Sequence, residues 1–400
     1  MSDGSPRVRM LAVASVSLLL SVLIWFNYSA VLPLVADDWG LSGTRAGVVF
    51  GAFQAGYLLA VVPAGALADR RSERVVIAGG AFAAGAASLG FALVADGFLV
   101  GTLFRTAAGV GTAGVYVPGM RFVAGWYPES ARGRAMGVYV GTYSTAAGLS
   151  FLLASRAATA VGWRTAVAAT SVGALLVPAV VLGLGRDPPA RDGPEAGGAG
   201  SPGLDLSILR NRAYLAAVGV YAFHNWELFG MRNWFVAFLT TESAVGAADA
   251  GVVAGAVLAL GGAGNLLGGA LSDRLGRSTV VGGALLVSGL VSAALGSLGS
   301  LPLPALLPLV AVYGAALTAD SAPTSTAVTE LVADDRMGTA LSLQSLVGFS
   351  TTVVSPVVFG LALDRAGYAV AFPTLALGAL AALGSLVALS RLTPRAARAS

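Results

Sequence analysis

One stretch of this 400-residue chain gathers an acid, a base and a guanidinium: His224, Glu227 and Arg232, within Phe223-His224-Asn225-Trp226-Glu227-Leu228-Phe229-Gly230-Met231-Arg232-Asn233-Trp234. On a helix at about 100° per residue, His224 and Glu227 share a face, while Arg232 lies about 80° from His224 and about 140° from Glu227. An imidazole and a carboxylate one turn apart can hold and release a proton near neutrality when burial and a neighbour adjust them. The plainer reading is a backbone-bonded His and a Glu paired with an arginine. Asp320, beside Ser321, Pro323 and Thr324, is a second candidate proton site. Arg105 and Arg121 are further arginines within apolar surroundings. Arg105 reads either as an ion-pair lock or as a cation that meets an anionic substrate, whereas Arg121 has a stem long enough to snorkel.

Several chemistries have no residues to run on. The chain has no Cys and no Lys, and His224 is its single His. That excludes thiol nucleophiles, multi-His metal centres and a phosphate-loop lysine. The sequence also lacks a Gly-x-Ser-x-Gly elbow and a His-Glu-x-x-His helix. It therefore predicts no enzyme and no cofactor.

The elements that must position these residues are apolar. Hydrophobic residues make up 56% and charged residues 11%, with mean hydropathy +0.79. A soluble domain carries about 25% charged residues, so the solvent here is lipid. Runs long enough to cross a bilayer, roughly 20 residues each, lie near 10–35, 46–68, 75–95, 97–120, 135–155 and 163–184. Six more lie near 213–240, 250–271, 279–299, 303–328, 339–363 and 367–390. The first run is too long for a signal-peptide core and has no small-x-small cleavage site. It is expected to stay as a spanning helix. Residues 185–205 are rich in Arg, Asp, Pro and Gly and read as a linker.

A charged loop recurs at half the chain length. Gly65-Ala66-Leu67-Ala68-Asp69-Arg70-Arg71 is matched by Gly269-Ala270-Leu271-Ser272-Asp273-Arg274, with Arg277 following. Arg134/Arg336 and Pro118/Pro323 repeat at nearly the same offset. Two homologous halves follow. The expected organisation is a six-helix bundle over 1–184, a linker over 185–208 and a second bundle over 209–400. With the N-terminus inside, the inner loops and tails hold 17 arginines and the outer loops 4. Both termini and the linker are then expected in the cytoplasm. The basic pI of about 9.6 is a topology signal rather than a nucleic-acid footprint.

Twelve helices in two halves, with Gly-x-x-x-Asp-Arg after spans 2 and 8, resemble the major facilitator superfamily. Arg105-Thr106-Ala107-Ala108-Gly109-Val110-Gly111 matches that family's Arg-x-x-x-Gly-x-Gly pattern in span 4. Arg132-Gly133-Arg134-Ala135-Met136-Gly137 is similar to its loop before span 5. The first loop departs from the family pattern, with Ser72 in place of Gly and Glu73 in place of a basic residue. The resemblance implies an all-α membrane protein whose two pseudo-symmetric six-helix bundles rock around a central cavity. Gly65, Asp69, Arg70, Gly269, Asp273, Arg274 and Arg277 would then form gating loops. Spans 1, 4, 7 and 10 line the cavity in that family. This implies Asn27, Tyr28, Arg105, His224, Glu227, Arg232 and Asp320 as substrate- or proton-binding residues.

The expected cargo is a small solute, with a small organic or inorganic anion leading. It would be carried by a monomeric, proton-coupled secondary transporter in contact with lipid and with no nucleic-acid partner. Gly162-Trp163-Arg164 and the span 1–2 region look like the nitrate/nitrite and cyanate porter branch. That branch carries arginines within spans 2 and 8, where this chain has Gln54 and Asn265. A multidrug exporter is the rival reading, weakened because Gly137, Gly141 and Gly148 have no proline nearby. A non-transporting receptor of the same fold is a third.

Overall fold

The structure is a computed structural model. It describes residues 4–188, 206–243, 245–332 and 337–393. Among these residues the chain is helical, without strands. That follows from the solvent: in lipid each backbone group must be paired within its own segment.

The first half runs α1 (Gly4–Trp39), α2 (Gly43–Arg70), α3 (Glu73–Leu93), α4 (Phe98–Ala113), α5 (Tyr116–Trp126), α6 (Glu129–Val161) and α7 (Trp163–Leu184). A 3-10 turn, Leu206–Arg210, precedes the second half. That half runs α8 (Arg212–Glu242), α9 (Ala247–Leu275), α10 (Arg277–Leu295), α11 (Leu303–Ala319), α12 (Ser321–Glu330), α13 (Met337–Ala366) and α14 (Tyr368–Leu392). Nine spans among the described residues are long and apolar enough to cross a membrane. They include the α4–α5 pair, continuous from Phe98 to Trp126. The long helices α6 and α8 and the α11–α12 pair complete twelve. α8 is less apolar than those nine because it holds the charged and amide residues singled out above.

Span 4 and span 10 are each broken at matching places, at Gly114–Val115 and at Asp320. The cause is a proline a few residues on. Pro118 and Pro323 have no N–H, so Gly114 and Ala319 lose their helical partners four residues ahead. At the first break the chain tightens into three-residue bonds, from Gly114 N to Gly111 O and from Val115 N to Thr112 O, each 3.0 Å.

Two compact units are present: residues 1–196 with 233–259, and residues 197–232 with 260–400. In the first, α2 packs on α4, α3 on α7 and α1 on α6. Small residues allow this closeness. Gly109 faces the Phe53 carbonyl with no room for a Cβ, and Gly56 faces Thr106 in the same way. The C-terminal part of α8 and the first part of α9 also belong to this unit. Ser29 Oγ donates to Asn233 Oδ1 at 3.2 Å, and Arg156 pairs with Asp249 at 3.6 Å. Gly148 and Gly255 meet backbone to backbone, where a Cβ on Gly255 would stand 2.9 Å from the Gly148 carbonyl oxygen. In the second unit, α10 packs on α14 and α11, and α13 on α14.

The end of α7 is strapped to the loop that opens α3. Arg74 grips Asp187 through Nε–Oδ1 at 3.0 Å and Nη2–Oδ2 at 2.6 Å. Its Nη1 donates to the Gly185 carbonyl at 2.9 Å, and Ser72 Oγ also donates to Asp187. Trp126 Nε1 donates to the Arg186 carbonyl at 3.3 Å. The Arg74 hydrogen bonds hold the Asp187 carboxyl below the usual carboxylate range, aided by Ser72 against partial burial. Ser72, which departs from the family pattern, is thus put to use. Asp187 lies near the start of the segment expected as linker, 185–208; residues 189–205 lie outside the described residues.

Candidate functional site

α8 presents His224 and Glu227 toward its neighbours in the second unit, as their shared face requires. His224 Nδ1 lies 2.9 Å from Asp320 Oδ1. That contact is close but poorly aligned, because neither Asp320 oxygen receives a well-formed hydrogen bond. His224 Nε2 lies 3.2 Å from Ser321 Oγ, so Asp320 and Ser321 flank the ring from the start of α12. The Pro323 break puts Asp320 at this junction, where the helix restarts.

Glu227 is 1% exposed and is held by two hydroxyls of α10. Ser288 Oγ donates to Oε2 at 2.9 Å and Ser292 Oγ to Oε1 at 2.6 Å. Ser292 in turn contacts Tyr313 OH of α11 at 2.5 Å. Buried carboxylates need such donors, since an unpartnered charge in lipid is costly. Ser288 and Ser292 stand one turn apart in the run near 279–299. Arg232 stacks over the Phe229 ring at 5.4 Å.

In the first unit the polar centre is built differently. Arg105, 1% exposed, binds α1: Nη1 to the Ile24 carbonyl at 3.1 Å, Nη2 to the Trp25 carbonyl at 3.3 Å and Nη1 to Asn27 Oδ1 at 3.4 Å. Its guanidinium also stacks over Phe53 at 4.5 Å and Tyr28 at 5.4 Å. No carboxylate pairs with it among the described residues. Asn27 Nδ2 reaches Thr170 Oγ1 at 3.2 Å and Ser88 Oγ at 3.4 Å. Tyr28 donates to the Ala46 carbonyl at 3.0 Å.

The site residues expected from sequence therefore fall into two groups. Asn27, Tyr28 and Arg105 come together in the first unit, and His224, Glu227 and Asp320 in the second. Trp226 spends its indole N–H on the Thr374 carbonyl at 2.9 Å, which ties α8 to α14. Of the loop residues, Asp273 and Arg274 are exposed near the end of α9, and Gly269 leaves open space for a Cβ, as does Gly65. Arg277 opens α10. Arg70 is exposed at the end of α2. The Asp69 side chain and all of Arg336 lie outside what is described.

Twelve apolar spans with buried ionisable clusters define a multi-pass membrane protein. The chain belongs to the Major Facilitator Superfamily, whose model matches residues 14–241 and 228–400. It is similar to a hexuronate transporter of Bacillus subtilis (strain 168), 23% identical over 92% of this chain and 90% of the relative. It is also similar to a probable sulfoacetate transporter of Cupriavidus necator, 26% identical over 91% of this chain and 88% of that one. Among solved structures, it resembles a bacterial homologue of the human lysosomal transporter Spinster in an inward-facing, occupied conformation. The TM-score is 0.75 at 17% identity, covering 97% of this chain and 95% of the other. The fold is that of the superfamily; the relatives do not point to the nitrate/nitrite branch.

Proposed function

We propose that this protein is a secondary transporter of a small organic anion, driven by protons and working by alternating access. The observation that carries the coupling is the pair of buried acids in the second unit, Glu227 on Ser288 and Ser292, and Asp320 against His224. An ionised Glu227 accepts from both serines; a protonated one donates to one of them, still accepts from the other, and so turns one serine's own O–H to a new partner. Asp320 and His224 can share a proton between a neutral pair and an ion pair. A conformational change that alters either set of partners changes its proton affinity, which is what coupling requires.

Two features support an anionic cargo. Arg105 is a buried cation without a carboxylate partner among the described residues, so the first unit holds uncompensated positive charge. The relatives that match over most of the chain are named for organic acids. We place both termini and the linker in the cytoplasm, from the arginine asymmetry, and the bundle boundaries at 184 and 209.

Reconstitution in proteoliposomes tests this reading. An imposed pH gradient should drive accumulation of an organic acid, and a protonophore should abolish it. Accumulation indifferent to both would remove the proton. Topology is tested with a thiol placed at position 195 in a chain that has no other. Labelling of intact cells by an impermeant reagent would reverse the orientation.

A further inference from the structure

Beside the break in span 10 lies a cavity that the proton chemistry does not use. It sits in the second unit among α8, α10, α12 and α14 and holds about 40 Å³. A single water needs about 10–15 Å³, so the space takes a group several atoms across. Pro323 forms part of the wall, and most of the rest is aliphatic, as at Ala327 and Leu386. Three polar residues interrupt it: Arg277, Ser278 and Thr324.

Thr324 is 4% exposed, and its hydroxyl has no hydrogen-bond partner. Buried polar groups are nearly always paired, so this one calls for a cause. Elsewhere in the chain a helical threonine spends its hydroxyl on the carbonyl four residues back, as Thr112, Thr142 and Thr240 do. Thr324 does not, and it lines the cavity. Arg277 and Ser278 open α10 behind Gly276, which has φ +83° and no side chain to cap the helix. The first N–H groups of a helix have no partner within it, and the macrodipole makes that end positive. Arg212 opens α8 and Arg391 lies in the last turn of α14. Three of the four helices around the cavity thus carry an arginine at this end. The helix start and the unpaired hydroxyl belong to different helices and meet at one space.

The polar residues ask for an anion, and the walls choose which kind. A free inorganic oxyanion would shed its water against aliphatic side chains, at a cost. An amphiphile sets its charged head on Arg277 and the α10 N-terminus and its carbons on the wall. Thr324 lies six residues before the end of α12 at Glu330, about 9 Å inward along the helix. The ester carbonyls of a phospholipid lie deeper than its phosphate in the same sense, and each accepts a hydrogen bond. We propose that this cavity binds the head of an anionic phospholipid. Arg277, Ser278 and the first amides of α10 hold the phosphodiester, and Thr324 donates to an ester carbonyl. The arginine asymmetry assigns this end to the cytoplasm, the side on which basic pockets between spans meet anionic headgroups.

The test uses the purified full chain in a neutral detergent, with native mass spectrometry to follow bound lipid and thermal unfolding to follow stability. The probes are dioleoyl phosphatidylglycerol, dioleoyl phosphatidylcholine and sodium phosphate. The two lipids share their chains, esters and phosphate and differ in net charge. Wild-type protein should bind its first phosphatidylglycerol about tenfold more tightly than phosphatidylcholine, and phosphate should not displace it. Arg277→Gln and Thr324→Val should each weaken that binding about tenfold, and Ala327→Leu, which fills the cavity, should abolish it. Without lipid, Thr324→Val should melt no lower than wild type, because the hydroxyl that it removes is unpaired. A marked drop would mean that the hydroxyl is spent within the protein, and would overturn the site. So would equal binding of the two lipids, or phosphatidylglycerol binding unchanged in all three variants. Displacement by phosphate overturns the lipid and makes a soluble oxyanion the ligand.

Discussion

Asn27 and Glu227, 200 positions apart, reach for matching partners: Asn27 bonds Ser88 in the third span of its half, and Glu227 receives Ser288 and Ser292 from the third span of its own. One half thus keeps a neutral amide where the other keeps an acid. The positive charge lies with the amide, in Arg105, which bonds Asn27 directly. The repeat conserves the geometry of a polar centre while dividing the chemistry, a fixed cation in one unit and protonatable groups in the other.

Glu227→Gln mimics the protonated carboxyl. Uphill, pH-driven accumulation should vanish, while exchange of substrate between equal pools continues. Flux measured in proteoliposomes with and without a pH step separates the two. If accumulation persists with the normal pH response, Glu227 is structural and Asp320 takes the coupling role.

Asp320→Asn removes the charge that faces His224 without changing its size. Exchange should retain at least about a third of its rate, and the pH response should flatten. His224→Gln should do the same if the two act as one unit, and the double variant should be no worse than either alone. Additive losses would mean that the two residues act separately.

Arg105→Met should destabilise the protein by about 2 kcal/mol or more, because it strips a charged donor from the Ile24 and Trp25 carbonyls and from Asn27. Arg105→Lys should recover only part of that, since an ammonium lacks the planar fork that spans two carbonyls. Thermal unfolding in detergent checks both. A variant as stable as wild type would free Arg105 for a purely substrate-facing role.

The Arg74–Asp187 strap should open in Asp187→Asn and close again in the charge exchange Arg74→Asp with Asp187→Arg. Amide hydrogen exchange over 185–187 reports it. The Asp187 carboxyl titrates below its usual value of about 3.9, so the strap is intact at neutral pH. It weakens only as acid carries the pH down through that lowered value. Protection of these amides should therefore be flat between about pH 5 and 8.

The twelve spans were legible because lipid leaves few options: a run of apolar residues of sufficient length must be a helix. The breaks at Gly114 and Asp320 were less legible. Pro118 and Pro323 announced a bend but not where the helix would restart. His224 and Glu227 were placed on one face by periodicity alone. Their partners are not legible in the sequence, because Ser288, Ser292 and Tyr313 carry no charge and look like ordinary helix residues until the fold brings α10 and α11 alongside α8. The strap at Asp187 was hidden because it joins residues 113 positions apart, across four intervening helices.

The break in span 10 bears on how the protein is made. α12 is ten residues long and reads Ser-Ala-Pro-Thr-Ser-Thr-Ala-Val-Thr-Glu. At 1.5 Å per residue it reaches about 15 Å, half the hydrocarbon thickness, and it is too polar to partition into lipid unaided. α10 and α13 pack against it. On this reading we expect span 10 to reach its full depth only once α13 has been made and can cover α12.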